Sequence, residues 1–264
     1  MQTTTENPPR TRRPEPTRNP GFTRSAVDFL SSRTLESHAA FLLPLLDRGL
    51  EVLDAGCGSG SITRDIAQAV MPGRVTGIDR DAAQIARAAR LAEGLELMNA
   101  RFVTGGVYDL PFERDSFDLV FSHGLFERLP DPASALAELR RVLRPGAQIA
   151  LCSLDWDELR MEKPTPGAFG AIAAYRTQLE ANGIDTAAGG KLATWLEDGG
   201  FKIVREGRSF DEAESPMRIA TRIAMQLDTD GETEAARALL DWSTEPGAAL
   251  RGCWRHVVAI KWNR

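Results

Sequence analysis

Three glycines alternate in the run Val52-Leu53-Asp54-Ala55-Gly56-Cys57-Gly58-Ser59-Gly60, with a carboxylate just ahead of them at Asp54. Glycine accepts positive φ and lets a ligand come close to the backbone. A helix starting directly after such a turn has first amides without intrahelical acceptors, which favour an anionic group. Further on, Gly77-Ile78-Asp79 ends in a second carboxylate, at the place where dinucleotide-binding folds grip a ribose diol. The pattern is not the dinucleotide fingerprint G-x-G-x-x-G, because the third glycine comes one residue early and Ser61 follows it. The expected chemistry is recognition of a ribose-bearing ligand by backbone shape and two carboxylates.

Such a loop works only at the end of a strand. Residues 51–54 form a short apolar run of the kind that makes a buried parallel strand. Further strands are expected at 74–78, 101–104, 117–121 and 147–154, alternating with helices at 61–70, 81–92 and 132–143. This alternation predicts a doubly wound parallel sheet. Helical spacing over 23–46 predicts a helix ahead of the first strand. The last third reads as helices at 167–181, 191–197, 217–227 and 232–242, with strands at 202–204 and 252–262. Residues 1–21 hold many prolines and threonines and almost nothing apolar, so they are expected to be a flexible tail. Residues 22–264 are read as one domain, with 156–194 and 211–245 as a helical lid.

The bulk numbers exclude several classes. Among 264 residues, 42% are hydrophobic and 26% charged, as in ordinary globular proteins. A net charge of −5 argues against nucleic-acid binding by bulk electrostatics. Cys57, Cys152 and Cys253 lack metal-ligand spacing, so no metal site is expected, and Cys57 and Cys152 read as buried filler. No apolar run approaches the ~20 residues of a membrane span, and no signal core is evident. A cytoplasmic protein is expected. Oligomeric state leaves no mark on the sequence.

The glycine loop, with Asp54 before it and Asp79 after it, resembles motif I of class I S-adenosylmethionine (SAM)-dependent methyltransferases. The resemblance extends over roughly residues 33 to 205. Residues 102–112 (FVTGGVYDLPF), 116–123 (SFDLVFSH) and 138–146 (ELRRVLRPG) are similar to the third-strand, fourth-strand and pre-fifth-strand motifs of menaquinone/ubiquinone-biosynthesis-type methyltransferases. It implies a Rossmann-like, seven-stranded mixed sheet whose last strand is antiparallel, with helices on both faces. It also implies SAM as cofactor, held by Asp54, Ala55, Gly56, Gly58, Gly60, Asp79, Arg80, Gly106, Val107, Tyr108 and Ser122. Arg33 is the expected partner of the methionine carboxylate.

Two positions depart from the family pattern. Gly106 stands where relatives carry an acid that contacts the adenine amino group, and a lost hydrogen bond there costs about 1–3 kcal/mol. Arg128 stands where many have histidine. His123 is the candidate catalytic residue, as a base or as a positioning group. Asp155 and Asp157 are candidates for steering substrate, and Trp156, Phe169 and Tyr175 for lining the acceptor pocket. The implied reaction is methyl transfer to an O, N or C nucleophile of a small molecule, as in secondary metabolism. Residues 122–125 (SHGL) lack the Asn-Pro-Pro-Tyr-type motif of nucleic-acid amino methyltransferases. The alternatives are a cyclase or decarboxylase on the same scaffold, a non-catalytic binding subunit and, last, a nicotinamide oxidoreductase.

Overall fold

Short apolar runs ending at glycine or polar turns become the strands. The computed structural model describes residues 33–210 and 216–262. The expected tail, positions 23–32 of the first helix and positions 211–215 lie outside them. β1 (Glu51–Ala55), β2 (Arg74–Asp79), β3 (Ala100–Thr104), β4 (Phe117–His123), β5 (Leu143–Glu162), β6 (Phe201–Phe210) and β7 (Ala249–Lys261) form one sheet. Its order is β3-β2-β1-β4-β5-β7-β6. β1 to β5 pair in parallel, and β7 runs antiparallel to both β5 and β6. The strand order reverses between β1 and β4, and ligands bind at the carboxyl ends of strands at such a switch.

Each helix buries an apolar stripe and starts at a recognisable cap. α1 (Leu35–His38) opens with a capping box between Thr34 and Ser37. α2 (Ser61–Val70) buries Ile62, Ile66, Ala67 and Val70. α3 (Ala82–Glu93) is capped by Asp81, α4 (Pro132–Val142) by Asp131 and α5 (Pro166–Ala181) by Thr165. α6 (Ala188–Asp198), α7 (Pro216–Thr229) and α8 (Thr233–Ser243) complete the set. One face of the sheet packs Leu53, Val120, Leu151 and Val257 against α4 and α6, and the other packs Val52, Phe121 and Ala150 against α2 and Leu42.

Three expectations need correction. The helix over 23–46 is broken in its described part: α1 stops at His38, and a 3-10 turn containing Pro44 follows over Ala40–Leu45. Proline has no N–H for an i→i−4 bond. β5 runs on to Glu162 instead of ending at 154, and its outer part pairs with the start of β7 beyond an irregularity between Asp155 and Arg160. Trp156, Leu159 and Met161 on this ribbon pack against a separate core made by α5, α7 and α8, centred on buried Trp242. Finally, α6 starts within the 156–194 stretch read as lid and runs past its end, and its Leu192 and Leu196 are fully buried in the main core. The helical layer beyond the sheet is therefore α5, α7 and α8, carried on the β5–β7 ribbon.

A buried ion pair ties the segment after β3 to α4. Glu138, 5% exposed, accepts from Leu110 N at 3.1 Å and from Arg141 Nε and Nη2 at 3.0 and 2.8 Å. Arg141 also donates to the carbonyls of Leu110 and Phe112. Removing one partner leaves a charge and an amide without their bonds. Glu138→Ala should lower stability by about 3 kcal/mol, read as a shift of the urea midpoint.

Candidate active site

β1 delivers the chain to the glycine loop, and β2 holds the loop in place. The amides of Gly56 and Cys57 both donate to the Ile78 carbonyl, at 2.8 and 3.0 Å. Gly58 N donates to Asp79 Oδ2 at 2.9 Å, and Gly60 N to the Cys57 carbonyl at 2.9 Å. Four loop amides are thus engaged inside the protein, ahead of the first amides of α2. What the loop offers a ligand is space. Gly60, at φ +70°, faces Phe102, and Gly56 faces Leu125, whereas nothing lies within 4 Å of where a Gly58 Cβ would be. Gly77 has its own reason: a Cβ there would sit 2.8 Å from Cys57 Sγ. Cys57 fills the space under the loop, and burial, then the charges of Asp54 and Asp79, push its thiol well up.

The two carboxylates take different environments. Asp79 is part-buried; its Oδ1 accepts from Asp81 N at 2.9 Å and its Oδ2 from Gly58 N. A carboxylate has about four lone-pair sites, so each oxygen keeps capacity for a hydroxyl. Burial raises its pKa, against which the two backbone bonds work. Asp54 is 3% exposed and accepts a 2.6 Å bond from the Thr63 hydroxyl. Thr63 was not anticipated from the sequence, since a threonine in a helix's first turn carries no special signal.

Several other expected site residues make contacts within the protein. The Ser122 hydroxyl, 1% exposed, donates to the Ala55 carbonyl at 2.8 Å and pins β4 to β1. Val107 is buried in the main core, and the Tyr108 phenol accepts from Asp131 N at 3.3 Å, at the cap of α4. Gly106 is part-buried and Arg80 exposed. Asp155 is buried and caps Asp157 N, while Asp157 pairs with Arg176 at 2.6 Å, so neither is a bare acid at the rim. Phe169 is 66% exposed. Trp156 and Tyr175 do meet, with ring centroids 5.6 Å apart. Burial raises the Tyr175 phenol, opposed by the positive charges of Arg222 and Arg128. The structure adds a buried Glu127, which accepts from the Ser153 hydroxyl at 2.7 Å. Their 26-residue separation left nothing for sequence periodicity to detect.

His123 ends β4 and is 9% exposed. Its Nδ1 lies 3.3 Å from Arg33 Nη1, and Trp254 packs on the ring at 4.5 Å. Burial, then Arg33 and His38, hold its pKa well below the usual histidine range. A ring with its acceptor nitrogen against a guanidinium is poorly suited to take a proton, which counts against the base half of its expected role.

A sequence profile described as a methyltransferase domain matches residues 46–200, more than half of the 264-residue chain. The chain belongs to this methyltransferase family. An uncharacterized methyltransferase of Schizosaccharomyces pombe is 29% identical over 173 residues, 63% of this chain and 62% of that protein. A demethylmenaquinone methyltransferase of Lactococcus lactis is 39% identical over 105 residues, 38% of this chain and 40% of that protein. The chain spans 48% to 62% of the length of the first curated relatives it matches. Among solved structures, a SAM-dependent methyltransferase from Aquifex aeolicus aligns with a TM-score of 0.60 at 21% identity, covering 90% of this chain and 98% of that one. At that identity the likeness speaks for the fold.

SAM is the cofactor of such methyltransferases, and the residues present fit it. Gly58 opens onto free space beside a carboxylate with unused acceptor capacity, and SAM has no phosphate that would need the engaged amides. Among the described residues no cluster of His, Cys, Asp or Glu could hold a metal ion, and no helix is long and apolar enough to cross a membrane.

Asp54 carries the sharpest electrostatic consequence. Burial above all, with a smaller push from Asp79, raises its pKa from 3.8 to about 7 against the pull of the Thr63 hydroxyl. The folded state therefore holds a proton that the unfolded chain releases. This favours folding most below pH 3.8, and the advantage is lost as pH rises to about 7, beyond which it changes no further. Asp54→Asn keeps an acceptor for Thr63 and removes that loss. The ligand-free variant should exceed wild type at pH 8 by on the order of 4 kcal/mol and match it near pH 4, as read by urea unfolding at the two pH values.

Proposed function

We propose that this protein transfers a methyl group from SAM to a small-molecule acceptor bound between the carboxyl edge of the sheet and the α5–α7–α8 layer. The observation that carries the reading is the glycine loop fixed by β2, with Gly58 facing open space, its amide bonded to Asp79, and Asp54 buried just ahead of the loop. When bound, SAM supplies a methyl group already activated on a sulfonium, so the protein's task is alignment and exclusion of water. Asp79 suits a ribose diol, and Asp54 lies where a cationic methionine end would be held. Gly106 leaves the adenine amino group without the acid that relatives use. The Trp156–Tyr175 pair, with the charges of Arg128 and Arg222 close to the phenol, forms the wall of the acceptor space.

The helical layer acts as a lid, and its mounting on a two-stranded ribbon allows it to move relative to the sheet. A chain with a net charge of −5 suits a small organic acceptor better than a nucleic acid. Three free cysteines fit a reducing cytoplasm.

Calorimetric titration with SAM, after removal of copurified ligand, should show micromolar binding, weakened about 10- to 100-fold in Asp79→Ala. Absence of binding to folded wild type would sink the reading. Because a cation favours ionised Asp54, wild-type affinity should also weaken as pH falls below about 7, by up to about tenfold per unit, while Asp54→Asn shows no such dependence. Release of S-adenosylhomocysteine with a panel of phenols, carboxylic acids and amines then separates methyl transfer from cyclase or decarboxylase chemistry.

A further inference from the structure

Glu127 stands in the short 3-10 segment Phe126–Arg128 that follows β4. Glutamate is almost never buried unless it is paired, yet this one is 9% exposed. Its Oε2 accepts from the Ser153 hydroxyl at 2.7 Å, and Ser153 is itself fully buried. Among the described residues Oε1 takes no hydrogen bond or ion pair, and unlike His123 Nε2 it is not sealed inside the protein. One carboxylate oxygen is thus fixed by a buried donor, and the other opens into space. Native proteins satisfy buried polar groups with few exceptions, so the open oxygen points to a partner that arrives with a ligand.

The protein holds this side chain firmly at the edge of the site. Phe126, 1% exposed, anchors the segment in the main core, and Asp185 N donates to the Glu127 carbonyl at 2.8 Å. The same turn packs on the glycine loop, because a Cβ on Gly56 would lie 3.1 Å from Leu125 Cβ. The space beside Oε1 lies over Gly124, which has φ +70° and no side chain to fill it. An atom at its Cβ position would lie 3.4 Å from Glu127 Oε1 and 3.5 Å from Arg33 Nη1. Walls of opposite sign select what can sit between them. Glu127 repels a carboxylate, and Arg33 repels an ammonium. A neutral hydroxyl suits both, since it donates to the carboxylate and turns its oxygen toward the positive side. Only the charge of Arg33 is needed for this, not a bond from it.

We propose that Glu127 selects the acceptor by taking a hydrogen bond from a neutral hydroxyl group through Oε1, with Ser153 holding the carboxylate in place. The acceptor is then an alcohol or a phenol rather than an amine or a carboxylic acid. The inference rests on reading this edge as the acceptor site, and it narrows that reading to one functional group.

Glu127→Gln keeps an oxygen for the Ser153 hydroxyl and turns an NH2 group toward the open side. In ligand-free protein, the urea midpoint of this variant should equal or exceed that of wild type, because the open oxygen has no partner to lose. A clear fall would make the carboxylate a structural element and overturn the proposal. Benzyl alcohol, benzylamine and benzoate, which share a ring and differ in the head group, are then titrated into protein saturated with S-adenosylhomocysteine. Wild type should prefer benzyl alcohol to each of the other two by about tenfold. In Glu127→Gln the preference over benzoate should largely vanish, since the carboxamide NH2 can donate to a carboxylate. A scaffold role would move all three probes together and leave their ratios alone. Affinity for S-adenosylhomocysteine should stay within about twofold of wild type in the variant. Preference of wild type for the amine or the carboxylate, no response to the alcohol, or ratios unchanged in the variant overturn the assignment. Failure of S-adenosylhomocysteine to bind wild type would instead count against the cofactor site, with the urea comparison still deciding the role of Glu127.

Discussion

The last turn of β2 holds the site together. One carbonyl, that of Ile78, accepts from two consecutive loop amides, and the next side chain, Asp79, accepts from a third. The loop after β1 is thereby fixed to the neighbouring strand before any ligand arrives. That capture is possible only because Gly77 lacks a Cβ, which leaves Cys57 a place beneath the loop. Ligand atoms meet a preformed surface, so little ordering is left to oppose binding. The orientation of the Asp79 carboxylate is settled by backbone donors on both of its oxygens.

Much of this was legible because its causes are local. The G-x-G-x-G run, the carboxylates at Asp54 and Asp79 and the strand-helix alternation follow from residue types at short spacing, and β1 to β4 lie where the apolar runs placed them. β5 extended beyond its apolar run because Trp156, Leu159 and Met161 face a second core that only exists once α5, α7 and α8 have assembled. Its charged residues, Asp155, Asp157 and Glu158, disguised the period of two. The first part of α6 fell within the lid bounds because a helical period reads the same whether it meets a sheet or another helix.

The site residues divide in the same way. Glycines and acids in the loop could be picked out by type. Ser122 and Tyr108, expected to hold the cofactor, set their hydroxyls against the Ala55 carbonyl and the Asp131 amide. Thr63, Glu127 and Ser153 went unnoticed because their roles come from partners fixed only by the tertiary fold. Arg33 was singled out from the sequence for the cofactor, but its contact with His123 joins residues 90 apart, and that contact changes what the histidine can do.

Burial pushes nearly every titratable group along this edge toward its neutral form. Asp54 and Asp79 go up, Cys57 goes up, and His38 and His123 go down, with desolvation the largest cause each time. Such agreement reflects side chains set into the protein rather than a set of paired ions. When a methyl group leaves a sulfonium for an anionic or neutral nucleophile, charge is cancelled or spread in the transition state. A medium that solvates localised charge poorly does not oppose that change, and it strengthens whatever dipoles are already fixed in place. The protein therefore has less need of a base than of a rigid, water-poor edge. The donors and acceptors described here, each held by backbone or by a buried partner, provide one.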